Sequence, residues 1–484
     1  MQKLSLLESF NSFLPPSAIL FEPEDVTPYE SDGLTAYRQT PMIVVLPDSE
    51  AQVQQILQIC YQAEVPVVVR GAGTGLSGGA LPVVDGVLLS MAKFKHILHL
   101  DPLARIARVQ PGVANLAISQ AAAPHGLYYA PDPSSQIACT IGGNVAENSG
   151  GVHCLKYGLT VNNVMKLRVM TIDGEVLEIG SEALDCAGFD LLALLTGSEG
   201  MLAVITEVTV KLLAKPQRAQ LVMAAFDDIG KAGAAVGDII AAGIIPAGLE
   251  MMDKLAIQAA EAFVHAGYPL DAEAILLCEL DGVNEEVSEE IWRVHNILLE
   301  SGATSLRTAA DEVERLKLWA GRKAAFPAVG RISPDYYCMD GTIPRKQLPH
   351  VLRNISELSR TYGLRVANVF HAGDGNLHPL ILYDANQPGE LEKTEAFGAE
   401  ILALCVAVGG TITGEHGVGL EKIDQMCVQF NTKEIALFHG IKQAWDQKKL
   451  LNPGKAVPAL HRCAELGAMH VHRGEVKFPE LPRF

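Results

Sequence analysis

The sequence predicts an α+β chain of at least two units, on three observations. Two runs fold back on Gly-rich turns as hairpins, amphipathic stretches with helical spacing follow, and glycine crowds residues 70–158. The 484 residues suffice for about three domains of ~150 residues, or two large ones. Apolar residues make up 49 % and charged residues 19 %, which supplies sizeable cores and excludes a mainly disordered chain.

Residues 42–69 read as strand (MIVVL), helix (EAQVQQILQICYQA) and strand (VPVVV), punctuated by Pro47 and Pro66. Residues 164–179 form a hairpin with Asp173-Gly174 as its turn, and 202–213 alternate as a further strand. Pro216 marks a boundary. Beyond it glycine thins and helical patterns take over, as at 285–300 and 311–326. A second hairpin spans 366–383, a helix 390–408, and a last helix 433–451 ends at Asn452-Pro453-Gly454. The expected organisation is an N-terminal segment 1–40, a first domain 41–215, a second domain 216–458 and a tail 459–484.

With 38 Lys and Arg against 56 Asp and Glu, the formal charge is −18, and no basic cluster stands out. A nucleic-acid-binding face is therefore excluded. No window of ~18 uninterrupted apolar residues is present, so no membrane-spanning helix is expected, and MQKLSLLESF makes a poor secretory signal. Nine cysteines without a CxxC pair fit reduced thiols in a cytoplasmic protein and do not suit a four-Cys iron–sulfur cluster.

VRGAGTGLSGGA (69–80) follows a strand and contains Gly73-x-Gly75-x-x-Gly78. The dinucleotide fingerprint needs its third glycine to open a helix, and Pro82 comes too soon for that. A nest of backbone N–H groups around a pyrophosphate suits this loop better, although one such loop reads equally as an ordinary connection. Three more Gly-rich segments follow: PDPSSQIACTIGGNVAENSGG (131–151), KYGLT (156–160) and TGSEGMLAVITE (196–207). Bare backbone approaches a flat ligand closely, and Ser, Thr and Asn offer neutral hydrogen bonds, so the four together suit one long cofactor groove.

In VFHAGDGNLHPLI, His371 and His378 flank a turn that can bring both imidazoles together, and GGTITGEHGVG (409–419) offers Glu415 beside His416. Two imidazoles and a carboxylate suit Zn²⁺ or Fe²⁺ with open positions. Exposed loop histidines without metal are the alternative for the pair alone.

These motifs carry family resemblances. The first ~215 residues are similar to the FAD-binding domain of the vanillyl-alcohol oxidase/p-cresol methylhydroxylase (PCMH) superfamily, in the RGAGTG, SSQIACTIGGNVAENSGG and EGMLAVITE segments. The implied fold is a PCMH-type, two-subdomain FAD-binding domain followed by an α+β FAD-linked oxidase C-terminal domain that binds substrate. The FAD contacts so implied are Arg70, Gly71, Ala72, Gly73, Thr74, Gly75, Leu76, Ser77 and Gly78 in the first loop. Pro131, Asp132, Ser135, Gly142, Gly143, Ala146, Asn148 and Gly151 follow in the second segment, then Tyr157, Gly158, Glu199, Ile205 and Asn452. Members with covalent flavin often carry His where Thr74 stands, so the resemblance implies non-covalent FAD.

H-x-GDGN-x-H and GEHGVG resemble the FAD-linked D-2-hydroxy-acid dehydrogenases, a family of D-lactate and D-2-hydroxyglutarate dehydrogenases and the FAD subunit of bacterial glycolate oxidase. The last branch matches best in YYCMDGTIPR, LNPGKAV and FPELPRF. The resemblance implies His371, His378 and Glu415 as ligands of a divalent metal, zinc or iron. It implies His416 as the catalytic base and Arg322 as the arginine that binds substrate carboxylate. The 2-hydroxyglutarate branch has Lys and Asn where this chain has Cys338 and Leu380, which points to a short monocarboxylate. Partners implied are an iron–sulfur subunit and a second flavin-domain-like subunit, with peripheral membrane association through them, and the tail 459–484 as a candidate docking segment. The resemblance implies oxidation of glycolate to glyoxylate or of D-lactate to pyruvate. Three alternatives stand beside it: a D-2-hydroxyglutarate dehydrogenase-like activity, a 2-His-1-carboxylate iron oxygenase, and a non-catalytic FAD-binding subunit.

Overall fold

The computed structural model describes residues 2–183 and 187–458, so the tail 459–484 lies outside the described residues. Strands β1 (Ile19–Leu20), β2 (Ile43–Val45), β3 (Val67–Arg70) and β4 (Val87–Ser90) form a sheet in the order β1-β2-β4-β3. β4 runs parallel to both β2 and β3. Parallel neighbours need a crossover, and the helix Glu50–Ala63 supplies it between β2 and β3. It buries Val53, Ile56, Leu57 and Cys60, the i, i+3, i+4, i+7 stripe of its sequence.

Next come β5 (Ile97–Asp101), β6 (Ile106–Val109), β7 (Leu127–Tyr128), β8 (Val164–Met170), β9 (Val176–Gly180), β10 (Val204–Lys211) and β11 (Leu213–Ala214). Five of them make an antiparallel sheet, β5-β6-β10-β8-β9, while β7 and β11 pair as a ribbon. The expected 164–179 hairpin is β8–β9, and the expected strand at 202–213 is largely β10.

The remaining strands are β12 (Arg218–Phe226), β13 (Gly248–Asp253), β14 (Ala274–Gly282), β15 (Ser305–Thr308), β16 (Asp335–Cys338), β17 (Val366–Phe370) and β18 (Pro379–Tyr383). They form one antiparallel sheet, β15-β12-β14-β13-β17-β18-β16. Both faces are covered. Val222, Ala224 and Phe226 pack with the helices Ile229–Ala241, Asn284–Glu300, Leu348–Tyr362 and Glu390–Ala407. Leu221, Met223 and Ala225 pack with Lys254–Val264, Glu312–Lys323 and Ala325–Val329 on the other side.

Three local expectations are corrected. The helical character expected of 220–400 hides a seven-stranded sheet, because doubly covered strands such as β14 (AILLCELDG) lack period-two alternation. The helix expected at 433–451 runs only Thr432–Trp445. Its stop is Asp446, whose buried Oδ2 accepts from Lys442 Nζ and from Leu451 N, each at 2.7 Å, and turns the chain back toward β3. The helix expected at 311–326 breaks at Ala324 into Glu312–Lys323 and Ala325–Val329.

The first sheets and the seven-stranded sheet are tied by charge. His153 Nδ1 lies 2.9 Å from Asp132 Oδ2, and its Nε2 lies 3.4 Å from Glu279 Oε1 on β14. Glu279 Oε2 accepts from Arg315 Nη1 at 2.6 Å and from Trp319 Nε1. Beside them Lys156 Nζ and the Tyr157 hydroxyl both donate to Asp281 at 2.7 Å.

Burial pushes the His153 pKa down, but Asp132 and Glu279 outweigh it and lift it from 6.5 to about 10. For Glu279 burial acts upward, yet His153, Arg315 and Trp319 bring it from 4.5 to about 2. A raised histidine stabilises fully below pH 6.5 and loses that contribution as pH climbs toward 10, while Glu279's contribution is lost as pH falls from 4.5 toward 2. His153→Asn is expected to lower Tm at pH 6 and to flatten the decline of Tm between pH 7 and 10, read by calorimetry across that range. An unchanged slope refutes the coupling.

Candidate active site

A cavity of about 460 Å³ is walled by both halves of the chain. It is lined by Gly71–Leu76, by Thr140, Gly142, Gly143, Asn144, Ala146 and Glu147, and by Glu199, Gly200, Ala203 and Ile205. From the second half of the chain, Lys323, Phe326, Pro327, His378, Glu415 and His416 line the same cavity. The loop after β3 is not helical, as the early Pro82 implied. Its approach to the second segment demands glycine, since a Cβ at Gly71 would sit 2.3 Å from Thr140 Oγ1. At Gly75 a Cβ would meet nothing within 4 Å, so bare backbone faces open space. A glycine cradle of this kind fits a flat, phosphate-bearing cofactor such as FAD.

Of the residues expected to contact the cofactor, Gly71, Ala72, Gly73, Thr74, Gly75, Leu76, Ser135, Gly142, Gly143, Ala146, Glu199 and Ile205 line the cavity. The others stand behind its wall and hold it. Arg70 donates to Ser31 O at 2.8 Å, and Ser77 O accepts from Leu420 N at 2.9 Å, with Gly78 packed on Leu420. Pro131 O accepts from Asn115 Nδ2, and Asn148 Oδ1 from Val161 N. Asp132 and Tyr157 belong to the charged tie on β14, Gly151 packs on the Asp132 backbone, and Gly158 on Asn162. Asn452 donates to Gly79 O and Glu199 O, bridging two wall segments. Sequence reasoning missed the helix Ile141–Glu147, which Thr140 caps by accepting from Gly143 N, and with it Asn144 and Glu147 in the wall. The Thr at the cap position was the available signal.

The histidines are assembled by backbone pairing. His371 follows β17 and His378 precedes β18, and His371 pairs with Asn376 across the turn. Gly375 is required there: its φ is +85°, and a Cβ would lie 2.1 Å from Ile343 O. The 409–419 loop joins through Thr411, which exchanges backbone hydrogen bonds with Thr342. Asp340, just past β16, then gathers the loop. Its Oδ2 accepts from Thr413 Oγ1 at 2.6 Å, Gly414 N at 3.1 Å and His416 N at 2.9 Å, while Oδ1 accepts from Asn376 Nδ2 at 2.9 Å and Glu415 N at 3.2 Å.

Glu415 Oε1 consequently lies 3.2 Å from His371 Nε2 and 3.3 Å from His378 Nε2. His416 stacks on His378 with ring centres 4.8 Å apart. His371 is held from behind by Glu250 Oε1, 2.8 Å from Nδ1, and Glu250 Oε2 lies 2.6 Å from Arg322 Nη2. Both ring nitrogens of buried His378, and His416 Nδ1, lack an aligned hydrogen bond among the described residues. Buried orphaned imidazole nitrogens facing a carboxylate fit a divalent cation, and the Glu250–His371 contact is the backing that a metal-bound imidazole commonly has. Asp340, His378 and His416 form an overlapping trio, but the Asp340 carboxylate is already occupied by N–H and O–H donors.

Burial pushes His416 down to about 4, which keeps its imidazole neutral and able to accept a proton. Burial acts upward on Glu415, but His371, His378 and His416 hold it at about 2. Arg322 departs from expectation: it is wholly buried on Glu250 and absent from the cavity wall, which its neighbour Lys323 joins instead. Cys338 and Leu380 are register partners on β16 and β18, both buried.

Residues 41–180 match the FAD binding domain family model, and residues 215–456 match that of the FAD linked oxidases' C-terminal domain. The chain belongs to the FAD-linked oxidase family and is an FAD-dependent oxidoreductase. That assigns a use to the glycine loops, which the iron-oxygenase alternative left idle. It is 66 % identical to the glycolate oxidase subunit GlcD of Escherichia coli K12 over 484 residues, covering 100 % of this chain and 97 % of the relative. Identity to GlcD of Bacillus subtilis is 39 % (88 % and 91 % covered), and to a D-lactate dehydrogenase of Anaerostipes hadrus 31 % (93 % and 96 %). Among solved structures, substrate-bound p-cresol methylhydroxylase superposes with a TM-score of 0.81 at 18 % identity, covering 95 % of this chain and 98 % of that one. The fold is thus the PCMH type with an oxidase C-terminal domain.

Gly375→Ala is expected to destabilise the protein by about 2 kcal/mol or more, from positive-φ strain and the clash with Ile343. Denaturant unfolding checks it, and a loss under ~0.5 kcal/mol refutes the constraint.

Proposed function

We propose that the chain oxidises a short 2-hydroxy acid, glycolate to glyoxylate or D-lactate to pyruvate, and passes the electrons to partner subunits. One observation carries the reading: the cavity lined by the glycine backbone of the first loop also has His378, Glu415 and His416 in its wall. The relatives named glycolate oxidase subunit and D-lactate dehydrogenase support the same substrates.

The working division is a FAD-binding unit at 41–215 and a substrate unit at 216–458. FAD is held without a covalent link, since Thr74 offers no imidazole to the flavin. His371, His378 and Glu415 are the ligands proposed for a divalent metal, zinc or iron. FAD held by the glycine loops would supply a hydride acceptor, and a cation held by His371, His378 and Glu415 would supply Lewis acidity toward the substrate hydroxyl. His416 takes the hydroxyl proton at Nε2, the ring atom 4.0 Å from Glu415 Oε1. Arg322 acts through Glu250, which fixes the ring of His371. Cys338 and Leu380 lie in the buried core and not in the cavity wall, so the preference for monocarboxylates over 2-hydroxyglutarate rests on the family resemblance.

The E. coli relative is named as a subunit, so assembly into a multi-subunit oxidase follows. An iron–sulfur subunit and a second flavin-domain-like subunit are the partners proposed. No helix among the described residues is long and apolar enough to cross a membrane. A cytoplasmic site of action, peripheral at a membrane through the partners, agrees with that.

Three outcomes test the reading. Glycolate or D-lactate should bleach the flavin anaerobically, and His416→Ala should slow that reduction by about 10²-fold or more, in line with general-base catalysis; a rate within a few-fold of wild type refutes the base. Chelation followed by elemental analysis should remove a divalent ion together with activity, and His371→Ala should bind less of it. Acid precipitation should leave the flavin in the supernatant, whereas colour in the pellet refutes non-covalent binding.

A further inference from the structure

We propose that Lys323 is a substrate-binding residue whose ammonium captures the carboxylate of the incoming 2-hydroxy acid in the cavity that His378 and His416 also line. The inference rests on the activity proposed above and extends it to a residue that sequence reasoning did not single out.

The argument begins with charge. An anionic substrate must enter a chain of formal charge −18, through a cavity whose wall carries Glu147, Glu199 and Glu415. Among the described residues that line it, Lys323 is the sole lysine or arginine. Arg322, the cation expected there, lies behind the wall with its charge opposed by Glu250 Oε2 at 2.6 Å. Other buried lysines nearby are committed as well: Lys422 to Glu421 at 2.7 Å, and Lys442 to Asp446 at 2.7 Å.

Lys323 differs from all of these. It is exposed, and it makes no side-chain hydrogen bond or ion pair with another described residue. It ends the helix Glu312–Lys323 next to fully buried Arg322, so its backbone is anchored while its four-carbon stem can swing. The wall residues that follow it, Phe326 and Pro327, lead to the site, and the Phe326 ring meets His378 with centres 6.1 Å apart. A compact point charge on a mobile stem, beside a low-dielectric wall, draws a carboxylate inward without fixing it in two contacts. Its effect therefore falls on capture and binding, and leaves the hydride-transfer step to the groups around His416. A lysine placed only to complement the helix C-terminus would leave substrate binding untouched.

The test is anaerobic stopped-flow reduction of the FAD-loaded enzyme by glycolate and by D-lactate at several ionic strengths. For Lys323→Ala the apparent Kd should rise about 5- to 20-fold, with the limiting reduction rate within about twofold of wild type, a scale typical of steering charges. The ionic-strength dependence of the second-order rate should shrink, Lys323→Glu should be worse, and Lys323→Arg should restore most of the binding. A Kd within about twofold of wild type with an unchanged salt dependence overturns the inference while leaving the activity standing. A Lys323→Ala protein that loses FAD or unfolds also overturns it, since the side chain would then be structural. A wild-type flavin that no 2-hydroxy acid reduces overturns the activity and this inference together.

Discussion

The carboxylate of Asp340 is the constraint on which the site depends. It is fully buried, and an isolated charge there would be costly to desolvate. It is offset by donors from Asn376, Thr413, Gly414, Glu415 and His416, with Lys422 Nζ 3.9 Å away. Those donors come from the hairpin turn and from the 409–419 loop. One buried charge thereby refers His378, Glu415 and His416 to a common point. Burial alone would raise the Asp340 pKa, and His416, His378 and Lys422 instead hold it well below the usual carboxylate range.

A second buried carboxylate does the same between the two halves of the chain. Glu199, in the TGSEG segment, has positive φ and accepts from Val418 N at 2.7 Å and Gly419 N at 2.6 Å. Asn452 then ties Glu199 O to Gly79 O, so a residue near the end of the described chain clamps two walls of the cofactor cavity. With the His153 tie on β14, these contacts make the cavity a property of the assembled chain, shared by the portions that match the FAD binding domain and the oxidase C-terminal domain.

Much of the fold was legible in the residues. The crossover helix at 50–63, both hairpins and the helix at 390–408 stand close to where the sequence put them. The helices do so because each has one face in a core and one toward solvent, the hairpins because their turn residues mark where the chain reverses. β12, β13 and β14 were not legible, since strands covered on both faces carry no alternation to read. The Asp446 stop was hidden for another reason: it depends on Lys442 and Leu451 meeting one carboxylate, a contact outside any propensity.

The site divides along the same line. Motif spacing alone brought His371, His378, Glu415 and His416 forward, because a tight turn and a glycine loop limit where such side chains can go. Which residues face the cavity was settled only by the folded chain. Arg70, Asp132 and Tyr157 are drawn away by partners distant in sequence, Ser31, His153 and Asp281, and Arg322 by Glu250. Local sequence determines what a backbone segment can become, whereas the direction a charged side chain takes is decided by the opposite charge that tertiary packing brings to it.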